Sequence, residues 1–212
     1  MSIKRKIRRK VEEKKLDIKP SDRVLEVGSG HDPYARSDVL CDKYVEDDTE
    51  RGGELETGNR PFHKADIEDM PFEDNEFDFV IASHVVEHVE NPSNAIEELQ
   101  RVAKRGYIEC PSYFGELIRP GREYHRWCIL PIDGKLVFKH KEDLNFPPFG
   151  TLVENGGLKD QSIFLKLFLY QYRNLFTIRK TWLGGVQYEV DSNQYEKYFK
   201  EPYDKQKMKE LD

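Results

Sequence analysis

Four short stretches hold residues whose types and places could do chemistry. The first, VLEVGSGHDPY from Val24 to Tyr34, is an apolar run that breaks into Gly28, Ser29 and Gly30. Glycines let a backbone turn tightly and come close to a ligand. The second is Asp42, which ends the apolar run from Val39, where a carboxylate accepts both hydroxyls of a ribose. In the third, ADIEDMPF, Asp66 stands just past a candidate third strand, a place from which to contact an adenine edge. The fourth, FDFVIASHVVEHV, puts Ser83, His84, Glu87 and His88 at the C-terminal end of a fourth strand. In open α/β sheets ligands bind in the crevice beyond such ends. A nicotinamide dinucleotide site asks for a third glycine where Pro33 stands and an acid roughly twenty residues further on. Asp42 comes too early for that acid, so the dinucleotide reading weakens.

The elements that must hold these residues are legible as short apolar runs. Arg23 to Val27, Val39 to Cys41, Phe77 to Ser83 and Gly106 to Cys110 read as parallel strands buried on both faces. Between the last two, Asn91-Pro92-Ser93 starts a helix, and Ala95, Ile96, Leu99, Val102 and Ala103 follow at helical spacing. Strand, helix, strand in that order is a βαβ unit. The connections after the first two strands are too short or too polar for full crossover helices, with at most a turn near Pro33 to Ser37. Past Pro111, Asp133-Gly134 predicts a hairpin between Trp127 to Pro131 and Lys135 to His140. Gly184-Gly185 predicts a second, between Phe176 to Leu183 and Val186 to Val190. Asn145 to Gly157 reads as loop and Asp160 to Asn174 as helix.

At 212 residues the chain suits one α/β domain, and twelve Phe and eleven Tyr supply bulk for its core. A net charge of −6 argues against a non-specific grip on nucleic acid. The three cysteines, Cys41, Cys110 and Cys128, are odd in number, lack CxxC spacing and sit in apolar stretches. They read as reduced buried thiols of a cytoplasmic protein, not as a disulfide frame or a zinc site. The acidic run from Glu46 to Glu50 reads as a solvated loop, and no metal site is expected.

The pieces VLEVGSG, VLCDKY, ADIEDMPF and FDFVIASHVVEHVENPSNAIEELQRV, in this order, resemble the class I S-adenosylmethionine-dependent methyltransferases, in particular the methyltransferase-11-like group. The resemblance covers Asp22 to Ser112. It implies a Rossmann-like sheet of order 3-2-1-4-5-7-6, strand 7 antiparallel, with an inserted hairpin and loop cap after strand 5. It implies that Gly28, Ser29 and Gly30 line the amino-acid part of S-adenosylmethionine and that Glu26 supports it. Asp42 would hold the ribose, Asp66 and Ile67 the adenine, and Ser83 and His84 the floor near the methyl sulfur. The family has a small residue where Asp32 stands, and full helices after strands 1 and 2. Tyr34, Tyr44 or the Gly52-Gly53 loop has room to close the site instead.

Methyl transfer needs an acceptor aligned with the donor and water kept out. For a hydroxyl acceptor a base helps, and the candidates are His84, His88 and His125, with Glu87 or Glu109 to orient one of them. The expected acceptor is a small molecule or a glycan- or lipid-linked metabolite. Two other readings stay open. One is a protein that binds S-adenosylmethionine without turnover; the other is a nucleotide-sugar or dinucleotide enzyme on a similar sheet. The organisation expected is a basic helix over residues 1–20 and one domain over 21–212, with an insertion at 111–159. The basic arm, Ser2 to Leu16, carries a narrow stripe of Ile3, Ile7 and Val11. It is expected to pack on the domain as a lid, the alternative being contact with an anionic membrane surface.

Overall fold

The structure, a computed structural model, describes residues 15–46, 53–118, 124–144 and 171–190. The basic arm but for its end, the acidic run after Glu46, the loop over 145–157, most of the helix read over 160–174 and residues 191–212 lie outside these residues.

Five parallel strands form the centre. They are β1 (Val24–Val27), β2 (Val39–Asp42), β3 (Phe62–Lys64), β4 (Phe79–Ser83) and β5 (Arg105–Pro111). Every residue of β1 and β2 is buried, as strands covered on both faces require. Between β4 and β5 runs α1 (Pro92–Val102). Asn91 caps it, its side-chain oxygen accepting the N–H of Ser93 at 3.0 Å and of Asn94 at 3.4 Å. Proline follows at the first helical position, where its missing N–H costs nothing. Ala95, Ile96, Leu99 and Val102 face the sheet and are fully buried. Near the helix end Arg101 reaches the carbonyl oxygens of Phe72 (2.6 Å) and Met70 (2.9 Å), pinning the chain between β3 and β4.

After β5 come α2 (Tyr113–Ile118), β6 (Trp127–Ile132), β7 (Lys135–His140), a single 3-10 turn, α3 (Arg173–Phe176), β8 (Thr177–Leu183) and β9 (Tyr188–Val190). β8 lies antiparallel beside β5, and the main sheet runs β3-β2-β1-β4-β5-β8. The expected order therefore holds through the first five places and the antiparallel strand next to them. Among the described residues no strand lies beyond β8. The β6–β7 hairpin forms as expected, with Asp133 and Gly134 at φ +48° and +80° in its turn.

The second expected hairpin does not form. β9 leaves β8 at Gly184 and Gly185 and pairs parallel to β7, completing a separate three-stranded sheet β6-β7-β9. The two glycines, at φ +73° and +139°, turn the chain from one sheet to the other instead of back on itself. The link after β1 carries no helix. Glu26, buried in β1, accepts the Tyr34 N–H at 2.7 Å and the Ser37 hydroxyl at 2.5 Å, so one carboxylate organises the loop that a helix would have filled. No described helix is long and apolar enough to cross a membrane.

Candidate functional site

The C-terminal ends of β1, β2 and β4 open onto a cavity of about 260 Å³. Gly28 and Gly30 form one wall, both at positive φ. The turn is held from beneath: the N–H groups of Gly28 and Ser29 reach the Cys41 carbonyl at 2.7 and 3.3 Å. The Gly30 N–H donates to Asp42 Oδ2 at 3.0 Å, and the Tyr44 N–H to Asp42 Oδ1 at 3.0 Å. Asp42 thus sets the turn while itself facing the cavity. Beyond it Asp66 pairs with Lys43 at 2.6 Å and turns the chain by accepting the Glu68 N–H at 3.1 Å, with Ile67 buried next to it. Glu68 accepts the N–H groups of Glu90 (2.6 Å) and Asn91 (3.1 Å), which ties the loop after β3 to the loop after β4 across the cavity edge.

The other side carries the histidines. His84 follows β4 at φ +58°, a conformation that few non-glycine residues adopt and one associated with functional sites. Its N–H donates to the Glu109 carbonyl at 2.7 Å. Its ring Nδ1 lies 3.2 Å from Glu87 Oε1 and its Nε2 3.9 Å from Glu109 Oε1, and half of the side chain is open to solvent. Glu109 is in turn held by Tyr107 and by Arg179. Glu87 is fully buried. Burial alone would push its carboxyl up, but the hydrogen bond to His84 and the charges of His84, His88 and His125 outweigh that and hold it below the usual carboxylate value.

His125 is buried against the same cluster from the segment between α2 and β6. Its Nδ1 lies 2.6 Å from Glu116 Oε1, and Lys141 holds the other Glu116 oxygen at 3.0 Å. His88 stacks on Tyr124 and meets His125 edge-on. The start of β6 is held by backbone: the N–H groups of Arg126 and Trp127 both reach the Glu87 carbonyl, and the Trp127 indole reaches the Val89 carbonyl.

Of the residues singled out from sequence, Gly28, Gly30, Asp42, Asp66, Ile67, His84 and His88 share this cavity wall. Glu26, Ser29, Ser83 and His125 do not line it. Glu26 is engaged with the loop at Tyr34 and Ser37, and Ser29 is buried with a hydroxyl that has no hydrogen-bond partner among the described residues. Tyr44 borders the cavity, whereas Tyr34 is buried in the second core cluster with Leu16 and Phe79. Sequence reasoning missed Lys43, Glu68 and Arg126, which also line the cavity. Lys43 was visible as the neighbour of Asp42. Arg126 depends on how the segment before β6 docks, and nothing local in the chain shows that.

The family description Methyltransferase domain matches residues 25–108. A ubiquinone/menaquinone biosynthesis C-methyltransferase of Pseudomonas aeruginosa is 31% identical over 94 residues, covering 42% of this chain and 37% of that one. An uncharacterised protein of Methanocaldococcus jannaschii is 45% identical over 56 residues, 24% of this chain and 27% of that one. The chain therefore matches only about a quarter to two fifths of the length of these relatives. Among solved structures, an S-adenosylmethionine-dependent methyltransferase from Aquifex aeolicus is 23% identical, with 50% of this chain and 64% of that one covered at a TM-score of 0.39. Over residues 25–108 the chain is thus similar to a methyltransferase domain.

Proposed function

We propose that the chain transfers the methyl group of S-adenosylmethionine to a small molecule or to a glycan- or lipid-linked metabolite. One observation carries the reading: a single cavity joins the Gly28–Gly30 turn and Asp42 on one side to His84 and His88 on the other. The residues fit the cofactor. Each Asp42 oxygen accepts one backbone N–H. A carboxylate offers about four acceptor sites, so one on each oxygen remains for a ribose diol. Val27, Ile67, Val85 and Val89 give the cavity an apolar lining against which a flat base can lie.

When bound, S-adenosylmethionine supplies a methyl group already activated on a sulfonium. Gly28 and Gly30 let the backbone approach the amino-acid end, with Glu26 fixing the loop behind them. Asp42 orients the ribose, and Asp66 and Ile67 the adenine. His84 forms the floor, and Ser83 ends the strand that carries it. His84, backed by Glu87 on one ring nitrogen and Glu109 near the other, takes the proton of a hydroxyl acceptor. Val85 and Val89 help exclude water. A cytoplasmic setting fits the three buried free thiols.

The test has two arms. Thermal shift with S-adenosylmethionine, NAD and nucleotide sugars should single out the first. Release of S-adenosylhomocysteine with panels of hydroxylated small molecules, glycans and lipid-linked sugars should then identify acceptors. Stabilisation by NAD or a nucleotide sugar instead would overturn the cofactor. Binding without release for any acceptor class would leave a binding protein in place of an enzyme.

A further inference from the structure

We propose that Glu87, His88 and His125 form a binding site for one divalent transition-metal ion, zinc by donor type, where the insertion meets the loop after β4. The three donor atoms lie within 4.8 Å of one another, and no other such cluster occurs among the described residues. The sequence had pointed away from metal, because its acidic run lies elsewhere and His125 comes from a distant segment.

Four features support a metal over a bare hydrogen-bonded cluster. The first is Glu87 Oε2, deeply buried and without a hydrogen bond from any described residue. Leaving a buried carboxylate oxygen undonated is costly, and His84 and His88 approach the other oxygen, at 3.2 and 3.9 Å. An ion held by both carboxylate oxygens would satisfy it. The second is His125. A carboxylate that also pairs with Lys141 accepts at its Nδ1, which makes Nδ1 the N–H and leaves Nε2 as a lone pair. Imidazole held by carboxylate on the far nitrogen is the usual support of a metal-bound histidine. The third is donor chemistry: two imidazoles and a carboxylate suit zinc, and three protein ligands leave a position open. The fourth is rigidity. The two segments are joined by N–H bonds of Arg126 and Trp127 to the Glu87 carbonyl, so the donors are already gathered. Around zinc, donors sit about 3.4 Å apart. Glu87 Oε1 and His88 Nε2 are at 3.9 Å, so small side-chain rotations close the set.

His88 also lines the cavity, which puts the open position on the cavity side. There the ion would hold an acceptor oxygen and lower its pKa. That last step rests on the methyl-transfer reading; the metal site does not.

The experiment is a titration of chelator-stripped, full-length protein with Co²⁺ alone. The expected result is one Co²⁺ per chain with visible ligand-field bands, displaced by Zn²⁺, and a raised melting temperature. His88→Ala and His125→Ala should each abolish the bands. Glu116→Gln, which touches no metal, should weaken binding by about 10–100-fold. His88 is the most exposed of the three ligands, so its variant guards against loss through misfolding, and the metal-free melting temperature of each variant reports an intact fold. Wild-type protein without bands or stabilisation at stoichiometric Co²⁺ would overturn the site. So would bands that survive in both histidine variants. Cobalt binding without methylation of any acceptor keeps the site and sinks the methyl-transfer reading. Turnover in metal-free protein that takes up no cobalt does the reverse.

Discussion

Asp42 Oδ2 accepts the Gly30 N–H at 3.0 Å, linking the end of β2 to the turn after β1. One carboxylate therefore shapes the glycine wall and presents acceptors to the cavity. Charge-assisted hydrogen bonds of this kind are worth roughly 1.5–3 kcal/mol each. Asp42→Ala should weaken S-adenosylmethionine by at least about tenfold, since 1.4 kcal/mol is a decade. Calorimetric titration reads this directly. Unchanged affinity would remove Asp42 from the cofactor site.

His84 offers a cleaner cut than its neighbours, because its backbone and side chain can be tested apart. Asparagine tolerates the left-handed conformation that His84 holds at φ +58°. His84→Asn should keep the fold and nearly all of the cofactor affinity while lowering turnover by roughly 10²–10⁴, the span of general-base catalysis. His84→Ala should lose the same activity and some stability as well. If His84→Asn turns over within a few-fold of wild type, the proton leaves by another route.

The parallel core was legible because burial on both faces leaves continuous apolar runs, and Val24–Val27 and Val39–Asp42 are such runs. Asn91-Pro92 announced α1 through its own capping chemistry. Gly184-Gly185 misled for a physical reason. Adjacent glycines permit many turns, and whether the next strand folds back or crosses to β7 depends on which edge is free. The cluster of Glu87 with His125 was hidden in the same way. Glu87 and His88 are neighbours in sequence, but His125 reaches them only because Arg126 and Trp127 dock on the Glu87 carbonyl. Asp42 could be read from its place at a strand end, whereas its hold on Gly30 could not.

Gly28 is constrained twice. Its φ is +65°, and a Cβ built there would lie 2.2 Å from Val85 Cγ2. Gly28→Ala should cost about 1–2 kcal/mol from the left-handed backbone and a further 1–3 kcal/mol from overpacking. Val85 borders the cavity, so the shift should also weaken the cofactor. Adding Val85→Ala to Gly28→Ala removes the clash and leaves the backbone strain. The double variant should therefore regain part, but not all, of the melting temperature lost. Full recovery would mean that the left-handed backbone contributes nothing.

Glu87 gives the protein an acid-side weakness whose sign is fixed. His84, His88 and His125 face its buried carboxylate and hold it below the usual value of 4.5, outweighing burial. The folded state then stays ionised where the unfolded chain has begun to take up a proton. Stability from this group is present above about pH 4.5 and falls as pH drops through the lowered folded value. Glu87→Gln cannot titrate. It should be less stable than wild type at neutral pH, having left three histidines without their carboxylate, yet lose stability less steeply below pH 4.5. Urea unfolding at a series of pH values reads both slopes. Parallel slopes for the two proteins over that range would show that Glu87 is not held in its charged form by the histidines.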